Sequence, residues 1–363
     1  MGVNDMDSNF NMDVIKIKVV GVGGAGNNVV SRMTGSTEGI EFINVNTDAA
    51  ALAASRCDVA LQIGEKVTFG RGAGSDPDVG RKAAEESRNN IEALFKDADM
   101  VFVTAGMGGG TGTGAAPVVA AAAREAGALT VGVVTRPFKF EGTRKAAIAD
   151  AGIEELTSCV DTLFVIPNEK LKDVTDQKIT FANAFQVADG VLNGAVAGIA
   201  DLLRSTSFIN LDFADLKTVM QNAGRAHMGL GSANGKDKIE EATRDAIFSP
   251  LMETSVQGAR RVLIKVTGSL DITMEDVERV VGRVEEAADP EANIIFGVDF
   301  DDRLVDALKV VAIATDFDAE EDRVESPEEP SLEPLVPAPE PVSERPGEDE
   351  EWNELISIFG RDK

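Results

Sequence analysis

The stretch "GMGGGTGTGAAP" (106–117) sets six glycines and two threonines into its first nine positions. So many glycines leave backbone amides uncovered, and amides at a helix N-terminus bind anions. The familiar phosphate loop G-x-x-x-x-G-K-[ST] carries a lysine, and none occurs here. A second run, "GVGGAG" (21–26), fits G-x-G-x-x-G between an apolar run and a helical pattern. Two helix N-termini of this kind can grip a polyphosphate without lysine, with Thr111 and Thr113 adding hydroxyl donors. Pro117 is expected in the first turn of the second helix, where its missing N–H does no harm. A third stretch, "NLDFADLKTVM" (210–220), places Asp212 and Asp215 three apart, on one side of a helix start. By spacing alone, capping by Asn210 or Asp212 is the plainer use of these residues.

The elements around these stretches must hold them at one edge of a sheet. Apolar runs at 14–20, 40–48, 100–106, 129–138 and 162–168 end in Gly, Asn, Pro or Thr and alternate with helical patterns. Nearly continuous apolar strands alternating with helices predict a buried parallel sheet, which binds ligands beyond its carboxyl ends. The fold class is α/β: a Rossmann-like parallel-sheet domain, a long central helix, a second smaller α/β domain and a disordered acidic tail. The boundaries read 1–13 as a disordered N-terminus, 14–180 as the nucleotide domain, 181–206 as the central helix and 207–316 as the second domain. Residues 317–351 carry seven prolines and read as a disordered linker, and 352–363 as a terminal peptide. In that peptide Trp352, Leu355, Ile356 and Phe359 share one helical face.

Composition narrows the function. The net charge of −27 opposes nucleic acid as a partner. Much of it is local, since residues 316–351 hold 15 Asp/Glu against two Arg. No apolar run is long enough to span a bilayer. The acidic start "MGVNDMDSNFNMD" lacks the apolar core of a signal peptide and the Ser/Thr of a myristoylation site. Cys57 and Cys159 lie far apart and read as free thiols of a reducing cytoplasm; with one histidine, His227, they make no zinc site.

Seven motifs in order, "GVGGAGNNVV", "NVNTDAAAL", "GAGSDPDVG", "GMGGGTGTGAAPVVA", "VTRPFKFEG", "NLDFADLKTVM" and "GLGSANG", resemble the tubulin/FtsZ family over about residues 14–316. The resemblance implies a GTPase with GTP/GDP and Mg²⁺, head-to-tail homopolymers and, for the prokaryotic members, the cytoplasmic mid-cell division ring. It assigns Gly24, Ala25, Gly26, Asn27 and Asn28 to the first phosphate loop, and Gly110, Thr111, Gly112 and Thr113 to the second. Loop 72–76, with Gly74, resembles the γ-phosphate sensor, beside Asn46 and Asp48. Glu141 resembles a ribose contact, and Lys145 stands where Arg is frequent, keeping charge without the bidentate fork. Phe185 resembles the residue stacked on the base, and Asp189 a guanine reader able to accept from N1–H and N2–H₂. Asp212 and Asp215, supported by Asn210, resemble the catalytic loop that reaches the nucleotide of the next subunit. No metal ligand is assigned to the protein; Mg²⁺ rides on the phosphates. Residues 352–363 resemble a peptide that docks on membrane-anchoring division adaptors, with no insertion into the membrane by this chain.

Two other readings stand beside this one. A tubulin-like regulatory or structural protein would bind GTP with slow turnover. An NAD-dependent oxidoreductase would use "GVGGAG" with Glu41, twenty residues on, yet it offers no hydride-transfer acid or base and leaves 108–114 without a task.

Overall fold

The computed structural model describes residues 15–35, 39–173, 180, 183–204, 209, 211–249 and 255–317. The expected N-terminal segment, the linker beyond Phe317, the terminal peptide and Asn210 lie outside the described residues. The first half runs β1 (Ile17–Val22), α1 (Gly23–Met33), β2 (Ile40–Asn46), α2 (Ala49–Ala54), β3 (Val59–Gln62), α3 (Glu65–Thr68), α4 (Pro77–Glu86), α5 (Arg88–Ala93), β4 (Met100–Gly106), α6 (Thr111–Glu125), β5 (Leu129–Arg136), α7 (Thr143–Cys159) and β6 (Thr162–Pro167). It continues with α8 (Ala184–Arg204), α9 (Phe213–Met220), β7 (Gly224–Asn234), α10 (Lys238–Ile247), β8 (Arg261–Gly268), α11 (Met274–Ala287), β9 (Asn293–Phe300) and β10 (Ala307–Thr315).

Strands β1 to β6 pair in parallel in the order β3-β2-β1-β4-β5-β6. Their apolar runs are buried on both faces, as helix-covered parallel strands require. The order reverses between β1 and β4, so their carboxyl ends open a crevice where ligands bind. The second sheet is mixed: β10 is antiparallel to β7 and β8, and β8 is parallel to β9. It joins the first through a short parallel ladder, Thr162 with Gly224 and Leu163 with Arg225.

Helix α8 spans about 30 Å. Its stripe Ala184, Ala188, Leu192, Ala195, Val196 and Ile199 is buried at helical spacing. That stripe belongs to one core with Phe102 and Phe164 of the first sheet and Met228, Leu263 and Ile313 of the second. The opposite face of the parallel sheet is covered by α4, α6 and α7, and the far face of the second sheet by α10 and α11.

One expectation about an element needs correction. Helix α6 starts at Thr111, so Pro117 lies in its interior rather than in the first turn. The last part of the glycine stretch, Thr111–Gly114, is already helical, and the missing Pro117 N–H deprives the Thr113 carbonyl of its helical partner. Strand β7, over "GRAHMGLGSAN", was read only as part of a motif. His227 on it is fully buried, with Nε2 3.5 Å from the Ala246 carbonyl, in keeping with a packing role.

Candidate functional site

The carboxyl ends of β1, β4 and β5, with Asn168 just past β6, surround a cavity of about 270 Å³. Helices α1 and α6 both begin at it. Gly23 adopts φ +73°, and a Cβ there would stand 2.9 Å from the Gly112 nitrogen. The two helix N-termini therefore touch through bare backbone, which a side chain at position 23 would push apart. Gly24 and Ala25 of the first and Gly110, Thr111 and Gly112 of the second line the cavity. The first-turn amides of α6 have no partner within the helix, and together with the dipoles of both helices they favour polyphosphate. The Thr111 hydroxyl lies 2.6 Å from that of Thr47.

The other end of the cavity is shaped for a flat ring and its sugar. Phe185, on the first turn of α8, is 46% exposed, set edge-on to Phe138 and Phe140, and lines the cavity. Glu141 and Lys145 also line it and pair with each other at 2.5 Å, while Glu141 Oε1 accepts from the Phe138 amide. Asp189, one helical turn beyond Phe185, is 6% exposed. Burial pushes its carboxyl up to about 6, while the Arg32 guanidinium, 3.3 Å away on α1, pulls the other way. A carboxylate held this dry gains from a ligand that donates two N–H groups to it.

Several expected contacts fall elsewhere. Thr113 is buried, and its hydroxyl accepts from the Gly108 amide at 2.8 Å, bracing the loop instead of facing the cavity. Asn27 is buried too: its Nδ2 donates to the Gly21 and Val45 carbonyls, and its Oδ1 accepts from Asn46 Nδ2. Asn27 and Asn46 thus tie α1 to β1 and β2 behind the wall. Gly26 is buried against the Thr104 carbonyl, and exposed Asn28 is not part of the lining. Asp48 caps α2, accepting from the Ala50 and Ala51 amides. Gly74 faces open space with φ +59°, outside the lining, although its loop packs Ala73 and Asp76 against Gly110. Glu41 pairs with Lys18 at 2.8 Å near the amino ends of β1 and β2, across the sheet from the cavity, so the NAD ribose contact has no basis.

Asn168 was missed. It lines the cavity, is 5% exposed, and its Oδ1 is buried with no hydrogen-bond partner among the described residues. Its sequence signal was the polar end of "TLFVIPN", where a parallel strand meets its ligand edge. An orphaned acceptor on a cavity wall fits a ligand that brings an N–H or O–H.

Asp212 and Asp215 are not in the lining. They form a reciprocal capping box at the start of α9: the Asp215 amide donates to Asp212 Oδ1 at 2.8 Å, and the Asp212 amide to Asp215 Oδ2 at 3.1 Å. The other end of α9 is held at the amino end of β6, where Thr162 Oγ1 donates to the Met220 carbonyl. Arg261 Nη1 donates to the Thr218 carbonyl from β8. Residue 162 and the cavity wall at Asn168 stand at opposite ends of β6, about 20 Å apart.

Paired amide-lined helix starts at the switch point of a parallel sheet, with an exposed aromatic and a buried carboxylate beyond them, define a nucleotide-binding α/β protein. The comparisons make this specific. Residues 16–176 match the GTPase domain of the Tubulin/FtsZ family, and residues 224–318 match the FtsZ family C-terminal domain. The chain is 44% identical to the protein in the structure of an empty FtsZ dimer from M. jannaschii, covering 83% of this chain and 88% of that one, with a TM-score of 0.77. A point mutant of M. jannaschii FtsZ gives 44% identity, coverage of 84% and 91%, and a TM-score of 0.78. CetZ2 from Haloferax volcanii, solved as a GTPγS-bound protofilament, shares the fold at 22% identity and a TM-score of 0.71, over 83% and 92% of the two chains. The chain belongs to the tubulin/FtsZ family and is a GTPase.

Proposed function

We propose that this chain assembles head to tail into protofilaments of the cell-division ring at mid-cell, hydrolysing GTP at each junction. Gly24, Ala25 and the first turn of α6 hold the phosphates, Phe185 packs on the base, and Asp189 and Asn168 read its edge. Glu141 and Lys145 lie beside the ribose. Mg²⁺ is carried by the phosphates and offsets their charge when bound.

The hydrolytic half comes from the next subunit, whose Asp212 and Asp215 orient and polarise the attacking water. One observation carries this reading: the cavity lies at the carboxyl edge of the parallel sheet, whereas α9 is fastened at the amino edge. A single chain therefore holds both halves of the reaction at opposite edges, and stacking copies in one direction joins them. Capping and catalysis are compatible, because each capping carboxylate accepts through one oxygen here and keeps a second. Asn210, outside the described residues, is assigned to support the pair. Residues 352–363, also outside them, are proposed to recruit a membrane-anchoring adaptor.

The test is Asp212→Ala, followed by GTP binding, light scattering with GTP and Mg²⁺ against a GDP control, and phosphate release. Binding and assembly persist while phosphate release slows at least tenfold. Unchanged release refutes hydrolysis in trans.

A further inference from the structure

We propose that Gly297 is a positioning residue for hydrolysis, a role resting on the trans reading above: it leaves the space that fixes where Leu211 and the Asp212–Asp215 turn after it lie. Gly297 sits on β9, at the end of the second sheet. Side chains two apart on a strand share a face, and on this face Ile295 packs against the core shared with α8 and α9. At the next position on that face the strand has no side chain, and Leu211 fills the gap. A Cβ at 297 would lie 2.8 Å from Leu211 Cγ, 3.0 Å from its Cδ1 and 3.0 Å from the Ile209 carbonyl oxygen. Leu211 is 4% exposed, so it has little room to yield.

The neighbouring residue completes the clamp. Val298 and Ile209 exchange both backbone hydrogen bonds at 3.1 Å, an isolated antiparallel bridge on the outer edge of β9. The chain is thus pinned to β9 at residues 209 and 211, and the Asp212–Asp215 capping box begins one residue later. A methyl group at 297 displaces Leu211 and the Ile209 carbonyl, and with them the start of the loop. None of these residues lines the nucleotide cavity. The effect is therefore on the hydrolysis of the neighbour's GTP, not on this subunit's own nucleotide binding. Reacting groups misplaced by about 1 Å lose on the order of 100-fold in rate.

The experiment compares wild type, Gly297→Ala, Leu211→Ala, the double variant and Asp212→Ala, measuring GTP affinity, melting temperature, assembly and turnover against GTP concentration. Gly297→Ala keeps GTP affinity within twofold and half-saturation unchanged, and loses at least tenfold in kcat. The double variant recovers several-fold over Gly297→Ala, because removing Leu211 Cγ and its methyls reopens the space. That coupling distinguishes positioning from a general loss of stability. The proposal is overturned if Gly297→Ala turns over within twofold of wild type. It is equally overturned if turnover falls together with affinity or melting temperature and the double variant restores none of them. Asp212→Ala separates the two ideas: slow turnover there with normal turnover in Gly297→Ala sinks only the role of Gly297. Normal turnover in both sinks the trans reading itself.

Discussion

Replacing Asp189 with Asn tests the base end of the cavity through two readouts of opposite sign. In the empty protein, burial raises the Asp189 carboxyl to about 6, above its ordinary value. The folded protein therefore holds this proton more tightly than the unfolded chain does. Stability falls as pH rises through the window between the ordinary carboxyl range and about 6, and the cost is complete above it. Keeping the carboxylate ionised at pH 7.5 costs roughly 3 kcal/mol by that linkage. That figure is already net of the attraction of the Arg32 guanidinium, which pulls the carboxyl down. Asp189→Asn is then about 3 kcal/mol more stable than wild type in urea denaturation without nucleotide at pH 7.5. The gain shrinks by about half at pH 5.0, where the wild-type carboxyl is mostly protonated. Ligand binding moves the other way. At pH 5.0 about a tenth of the empty sites are ionised, so wild-type affinity for GDP drops roughly tenfold from pH 7.5. The amide does not titrate, and any pH effect from the nucleotide is common to both proteins. Equal stability of the two proteins at pH 7.5, or parallel affinity profiles from pH 5.0 to 7.5, refutes the reasoning.

Asn168→Ala removes the buried, unpartnered Oδ1, so the empty protein is unchanged or more stable by up to about 1 kcal/mol; nucleotide affinity falls several-fold by calorimetry. Gly23→Ala forces a side chain at φ +73° against the Gly112 nitrogen, and the expected result is loss of at least tenfold in GTP affinity with the fold retained by circular dichroism. On the proposed trans reading, GTPase activity per molecule rises with protein concentration; a flat response from very dilute to micromolar protein contradicts trans hydrolysis. Deleting 352–363 leaves assembly by light scattering intact, and lost assembly would make that segment part of the polymer.

Much of this was legible from local pattern. Apolar runs of strand length, each ending in a polar or glycine residue, gave the parallel sheet and its ligand edge, because burial on both faces demands such runs. Two glycine loops without lysine predict a backbone-amide grip, and the structure brings Gly23 and Gly112 into contact. Strand β7 shows no apolar run of strand length in the sequence, because glycines interrupt it. Their purpose is close packing: a Cβ at Gly229 or Gly231 would run into the Ala246 or Ala242 carbonyl of α10. No local pattern contains that neighbour.

The order of strands and helices, the glycine loops at the sheet edge and the carboxylate pair at a helix start were set by residues near each other in the chain. Tertiary structure decided which of those residues meet the cavity. Thr113 turned to its own loop, Asn27 found Asn46 nineteen residues away, and Asn168 Oδ1 found no partner among the described residues. A side chain's hydrogen-bond partner depends on which strand ends arrive beside it, and here those ends come from β1, β2, β4, β5 and β6 at once. The separation of Asp212 from the cavity has the same origin: α9 is fastened at the sheet's opposite edge.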